Sequence, residues 1–246
     1  MRYAIIAAGE GSRLAQEGIN APKPLVKVND EHLIDRLLRI FMANDAEEIV
    51  VICNDLTTLV SAHLADIQQN GLYGRPVPLR FIVKSTPSSM HSFFELSKIL
   101  PAPQGSDYPF VLTTVDTIFR EEEFGDYIAA FKEVLAEGDD GMMGVTDYID
   151  DEKPLYVETA SQALITAFLD TCDHPHFISG GIYGLTNRAF TTLNACMERG
   201  ESRMRNFQRA LIRDGLRLRA YPFSKVLDID HASDIQKAEE FLKNGR

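Results

Sequence analysis

Basic residues are in short supply in this chain. Its 246 residues include 25 Lys and Arg against 36 Asp and Glu, a net charge of -11. Nucleic acids are held by clustered cations whose counterion release drives affinity, so this balance argues against a nucleic-acid partner. The basic groupings that exist, Arg199 to Arg209 and Arg213 to Arg219, are spread around a surface by helical spacing. They read as solvated, as do the acidic runs Glu121 to Glu123 and Asp150 to Glu152. Cysteine is equally sparse. Cys53, Cys172 and Cys196 are odd in number, far apart and free of any CxxC spacing, which argues against a disulfide framework or a cysteine-held zinc. No apolar run approaches the roughly 18 residues of a membrane span, and the opening MRYAIIAAGEG breaks into glycine too early for a signal peptide. A cytoplasmic protein without a membrane partner is expected.

What is present is an ordinary globular composition, 45% hydrophobic and 25% charged, without a compositional break that would mark a linker. One domain over residues 1–246 is expected. Short apolar runs bounded by Gly, Pro or Asp predict buried strands at Tyr3 to Ala8, Ile49 to Cys53, Leu79 to Val83, Phe110 to Thr114, Gly141 to Val145, Ile178 to Leu185 and Leu216 to Tyr221. Between them, helical periodicity runs through His32 to Ala43, Thr57 to Gln69, Ser92 to Leu100, Phe124 to Leu135, Asn187 to Met197, Met204 to Arg213 and Ser233 to Leu242. This alternation predicts an α/β fold with helices on both faces of a mostly parallel sheet. Pro154 to Val157 and Ala163 to Phe168 have no helix between them. They predict a small antiparallel excursion around residues 150–180, placed to wall a substrate site.

The segment Gly9-Glu10-Gly11-Ser12-Arg13 follows the first predicted strand, where glycines let backbone N–H groups approach an anion. Two familiar phosphate motifs fail here: Leu14 stands where a dinucleotide fingerprint needs its third glycine, and no Gly-Lys-Ser/Thr follows. A ligand-free tight turn would read the same way. The continuation Pro22-Lys23-Pro24-Leu25 changes the balance, because a lysine fixed between two prolines needs an anionic partner, and a triphosphate is one that Arg13 and Lys23 can share.

AAGEGSRL followed by PKPLVKV resembles the signature of the sugar nucleotidyltransferase family, and the resemblance extends through TTVDTIF and SGGIYGL to VLDIDHASDIQKAEEFL. It implies a Rossmann-like, three-layer α/β/α fold of the glycosyltransferase A type with a mixed, mostly parallel sheet. It also implies transfer of a nucleoside monophosphate from an NTP to a phosphorylated small molecule such as a sugar 1-phosphate. On this resemblance Arg13 and Lys23 handle phosphates, and Ala8, Gly9, Gly11, Ser12, Ser88 and Ser89 surround the nucleotide. Gly180, Gly181 and Tyr183 face the second substrate. Asp116, Asp228 and Asp230 are the candidate ligands of Mg²⁺ or another divalent cation, a hard ion suited to carboxylates and phosphates.

Departures from the family pattern leave points open. Ser12 stands for the commoner threonine. Asp230-His231 replaces a usual Gly-Thr, so either Asp228 or Asp230 qualifies as the second ligand, and the altered Ser88-Ser89-Met90-His91-Ser92 leaves the nucleobase open. Each candidate also has a plain reading: Asp116 as a turn residue, Asp228 and Asp230 as an exposed pair before a helix, and Gly180-Gly181 as a strand bulge. His174 and His176, two residues apart without a third ligand, read as surface residues, and so does Lys225. Two other functions remain in view, a metal-dependent glycosyltransferase using a sugar nucleotide and a catalytically silent regulatory domain. Self-association is left open.

Overall fold

The computed structural model describes residues 1–100, 107–150 and 153–243. Its strands are β1 (Arg2–Ala7), β2 (Lys27–Val28), β3 (Glu31–His32), β4 (Glu48–Cys53), β5 (Leu79–Val83), β6 (Pro109–Thr114), β7 (Thr117–Ile118), β8 (Gly141–Thr146), β9 (Tyr156–Thr159), β10 (Ile165–Leu169), β11 (Phe177–Thr186), β12 (Leu218–Phe223) and β13 (Leu227–Asp228). The helices are α1 (Ser12–Gln16), α2 (Leu33–Ala43), α3 (Thr58–Asn70), α4 (Ser89–Ser97), α5 (Glu121–Ala136), α6 (Ala189–Glu198), α7 (Met204–Arg213) and α8 (Ala232–Lys243).

Nine strands form one mixed sheet in the order β10-β9-β11-β6-β1-β4-β5, with β8 joining β11 to β12. β1 lies parallel to both β4 and β6, β4 to β5, and β12 to β8. β11 runs antiparallel to β6, β8 and β9. The run Ile178 to Leu185 does predict a buried strand, but its direction is not legible, because a strand covered on both faces has the same apolar pattern either way. The antiparallel excursion forms as β9 and β10. Asp151 and Glu152, at its start and in the acidic run, lie outside the described residues.

Alternate residues of β1 feed two cores. Tyr3, Ile5 and Ala7 pack with α2, α3, α5 and α8, while Ala4 and Ile6 pack on the other face with α4, α6 and α7. The result is three layers, α/β/α. β1 is also where the strand order turns, since β4 and β5 build out on one side and β6 on the other. In open α/β sheets the crevice beyond the carboxyl ends at such a point receives ligands. Among the described residues no helix is long and apolar enough to cross a membrane.

The candidate nucleotide site

Two loops leave the adjacent carboxyl ends of β1 and β6 together, tied where Val115 N–H donates to the Ile6 carbonyl at 3.0 Å. The loop after β1 is the glycine turn. Gly11 sits at φ +65°, in the left-handed region, and opens α1 without a side-chain cap. The first N–H groups of a helix have no partner within it, so the turn presents donors rather than side chains. A Cβ built on Gly11 would lie 3.1 Å from the Lys23 Cβ, so the missing side chain is also what lets the Pro-Lys-Pro segment pack against the turn. That segment forms a 3-10 turn over Lys23–Leu25, closed by Leu25 N–H to the Pro22 carbonyl at 2.8 Å.

Lys23 is largely buried, and its ammonium bonds Asp116, in the loop after β6, and Asp230, beyond β13, the latter at 2.7 Å. Burial pulls the Lys23 pKa down, but the two carboxylates outweigh it and hold it above the ordinary lysine range. Arg13 Nη1 reaches the other oxygen of Asp230 at 2.9 Å in an exposed contact. The cations and carboxylates expected at the site therefore meet, bringing together residues 13, 23, 116 and 230. Asp116 and Asp230 share one ammonium, so their oxygens already converge on a single cationic position. This oxygen donor set fits a divalent ion of the Mg²⁺ type.

A cavity of about 520 Å³ opens over this constellation, lined by Ala8, Gly9, Gly11, Ser12, Arg13, Lys23, Ser88, Ser89, Asp116 and Asp230 among others. Ser88 caps α4 and shares a 2.8 Å hydrogen bond with the His91 ring, which leaves Ser89, Thr86 and Pro87 as further wall at that helix end. A second cavity of about 390 Å³ shares Arg13 and Asp230 with the first and adds Gly180 and Asp228. Asp228 pairs with Thr117 across β13 and β7 and accepts a long 3.4 Å bond from its hydroxyl, and Thr117 in turn bonds Thr114 at 2.7 Å. Asp228 thus belongs to the second cavity, whereas Asp230 borders both.

Two expected substrate contacts sit elsewhere. Gly181, at φ +70°, approaches the Thr117 hydroxyl, which would lie 3.2 Å from an added Cβ, and it lines neither cavity among the described residues. Gly180 and Gly181 lie in the register shift between β11 and β8, so the bulge reading holds as well. Tyr183 is 4% exposed and packed in the α4–α6–α7 core, and this burial removes its ring from either cavity. Burial, with the nearby Asp228 and Asp116, raises its pKa beyond the usual tyrosine range.

Several residues at the site carry no motif. Asn54, at the end of β4, donates to the carbonyls of Ala8 and Gly9, both at 3.2 Å, and so fixes the exit of β1. Glu17 stitches the glycine turn to the chain beyond β13: it bonds the His231 ring and the Ala232 N–H, both at 2.6 Å. The His231 hydrogen bond holds the Glu17 carboxyl below the usual range. The second cavity also holds Lys153, Arg205 and Lys237, with Arg205 paired to Asp170 at 2.6 Å and Lys237 to Asp150 at 2.8 Å. Arg205 lies in a basic grouping that reads as solvated, and the other two are isolated in sequence, so no local pattern marks any of them.

Comparison with known proteins gives a family and a fold. The family model described as nucleotidyl transferase matches residues 3–245. A search of curated proteins returns no match. Among solved structures, the chain is similar to a Bacillus anthracis protein described as a glucose-1-phosphate thymidylyltransferase, in complex with a sucrose. Identity is 17%, coverage 100% of this chain and 96% of that one, and the TM-score 0.81. It is also similar to the inositol-1-phosphate CTP transferase of T. maritima, with 18% identity, coverage of 99% and 96%, and a TM-score of 0.74. The CTP:phosphocholine cytidylyltransferase of Streptococcus pneumoniae matches with 16% identity, 98% coverage of each chain and a TM-score of 0.75. At these identities the likeness is one of fold.

Proposed function

The chain belongs to the nucleotidyl transferase family, and from that premise we propose that it joins a nucleoside monophosphate from an NTP to a small phosphorylated acceptor, releasing pyrophosphate. The observation that carries this reading is the convergence of Arg13 and Lys23 on Asp230, with Lys23 also on Asp116, beside the glycine turn. Cations held by carboxylates at the mouth of a cavity are poised for exchange. A triphosphate entering there offers Arg13 and Lys23 several anionic oxygens, and turning to it frees the oxygens of Asp116 and Asp230.

The NTP occupies the first cavity, its phosphates on the glycine turn and its base toward the end of α4. Asp116 and Asp230, with Asp228 on the side of the second cavity, would hold Mg²⁺, which when bound neutralises phosphate charge and orients it for attack. The acceptor occupies the second cavity, where Lys153, Arg205 and Lys237 suit its phosphate. A phosphomonoester has a second pKa of about 6, so near neutrality its oxygen is a competent nucleophile without a general base. That oxygen forms a bond to the α-phosphorus while the bond to the β-phosphate breaks in line. Arg13 and Lys23 stabilise the charge that gathers on departing pyrophosphate.

The three structural relatives named above carry a sugar phosphate, a polyol phosphate and an alcohol phosphate in their descriptions, which sets the acceptor panel for a test. Pyrophosphate release is measured with each NTP and Mg²⁺ against such phosphates. One pairing is expected to turn over, and Lys23→Ala and Asp116→Ala are each expected to lower that turnover by about 100-fold or more without changing the circular dichroism spectrum. Near-normal release from Lys23→Ala would overturn the assignment, as would consumption of a sugar nucleotide without any NTP.

A further inference from the structure

Away from both cavities, three side chains with no part in this chemistry meet between α2 and α3. His32 immediately precedes α2, Asp35 lies in its first turn, and His63 comes from α3. Asp35 Oδ2 is 3.0 Å from His32 Nδ1, and Asp35 Oδ1 is 2.6 Å from His63 Nε2. The three donor atoms all lie within 4.8 Å of one another. We propose that His32, Asp35 and His63 form a zinc site that ties α2 to α3, with water as the fourth ligand.

The donor set matches the ion. Imidazole nitrogen and carboxylate oxygen are ordinary Zn²⁺ ligands, and three protein ligands with one open position make a recognised four-coordinate arrangement. With bonds of about 2.0–2.1 Å, the donors of a tetrahedral ion stand roughly 3.4 Å apart. The observed spacings, 2.6 and 3.0 Å to the carboxylate and all donors within 4.8 Å, bracket that value. The two imidazoles are crossed at 85° with centroids 5.1 Å apart, so they do not stack, and each aims a nitrogen at the same carboxylate.

The surroundings supply a reason and a route. Asp35 is 5% exposed and faces the two imidazoles through both its oxygens, and a divalent ion held there supplies the positive charge that otherwise has to come from a protonated imidazole. The histidine side chains remain 28% and 25% exposed, so an ion and its water can enter from solvent. The site also stands directly downstream of Lys23. The β2–β3 hairpin joins the Lys23–Leu25 turn to His32, and Leu33 N–H donates to the Val26 carbonyl at 2.9 Å. An ion there stiffens the base of the segment that presents Lys23.

The test uses the intact chain, stripped with a chelator and titrated with Zn²⁺ in excess Mg²⁺, which competes for the carboxylates of the nucleotide site. Bound zinc is read by elemental analysis after desalting, and stability by thermal unfolding. One Zn²⁺ per chain and a rise in Tm of several degrees are expected. His32→Ala and His63→Ala should each abolish both effects. His63→Gln, which keeps a polar group beside Asp35, should fold normally and still lose the zinc. Co²⁺ in place of Zn²⁺ should give the visible absorption of a tetrahedral site, absent from the variants. A wild-type chain that retains no zinc overturns the proposal, as does zinc that remains undiminished in all three variants.

Discussion

At the scale of single residues, the glycine turn separates two roles that one motif conflates. Gly9 has open space where a Cβ would go, whereas Gly11 combines φ +65° with a contact of 3.1 Å to the Lys23 Cβ. Gly11→Ala therefore imposes a left-handed backbone cost of about 1–2 kcal/mol and displaces the lysine. Under the proposed function Lys23 handles phosphate, and misplacing such a cation by about 1 Å costs up to about 100-fold in rate. Gly11→Ala is expected to lower Tm by a few degrees and turnover by about tenfold or more. Gly9→Ala should leave Tm unchanged, so any loss of NTP affinity it causes reports how closely phosphate approaches the backbone. Thermal melts and NTP titrations on the two variants separate these outcomes, and equal loss of Tm in both would contradict this division. The cations were legible because prolines and glycines give their neighbours a recognisable setting. Asn54 and Glu17 were not, because each acts through hydrogen bonds to a segment distant in sequence, and no local pattern encodes such a meeting.

At the scale of elements, position was easier to read than direction or exact extent. Strand cores such as Ile49 to Cys53 appear almost as expected, since their burial is written in unbroken apolar runs. Helix α4 starts three residues before its predicted Ser92, because the Ser88 cap supplies a start that periodicity alone passes over. The two-residue strands β7 and β13, which bring Asp228 beside Thr117, are too short to carry any period. The pairing of β12 with β8 has an electrostatic anchor of the same kind. Asp139, just before β8, bonds Arg217 at 2.7 Å and also takes Arg219 of β12, while Asp140 accepts from the Arg217 N–H at 2.8 Å. Burial pushes the Asp139 carboxyl up, but the two guanidinium groups outweigh it and hold its pKa below the usual value. A depressed folded pKa contributes stability above the ordinary carboxylate value, about 3.9, and loses it as pH falls through the folded value. Asp139→Ala is expected to cost about 3 kcal/mol near neutrality, with the gap to wild type closing below about pH 4. Urea unfolding of both proteins at a series of pH values measures this, and a gap independent of pH would assign the cost to packing instead.

At the scale of the whole molecule, the question is whether the two cores behave as one. Composition suggested a single domain only by offering no linker, which is weak ground. The alternation along β1 is better ground: consecutive side chains of one strand enter opposite cores, so neither core keeps its wall if the sheet is lost. Phe41 stacks on Tyr3 at 4.2 Å in the first core, and Phe93 meets Phe207 and Phe110 at 5.4 and 5.9 Å in the second. Both phenylalanines are fully buried. Truncating either to alanine should cost about 3–5 kcal/mol. We propose that the chain unfolds as one unit, so Phe41→Ala and Phe93→Ala should each shift the same single transition, seen alike by calorimetry and by far- and near-UV circular dichroism. Two separable transitions, each sensitive to only one variant, would mean that the layers fold independently. The first cavity, the proposed nucleotide site, is the reason the outcome matters for function, because Gly9 and Asp116 leave adjacent strands of the shared sheet while Ser89 rides on a helix of the second core. A molecule that melts in two steps would lose the Ser89 wall and the glycine turn of that cavity separately. One that melts in a single step loses both together, and NTP is then expected to raise the one Tm of wild type and of either variant alike.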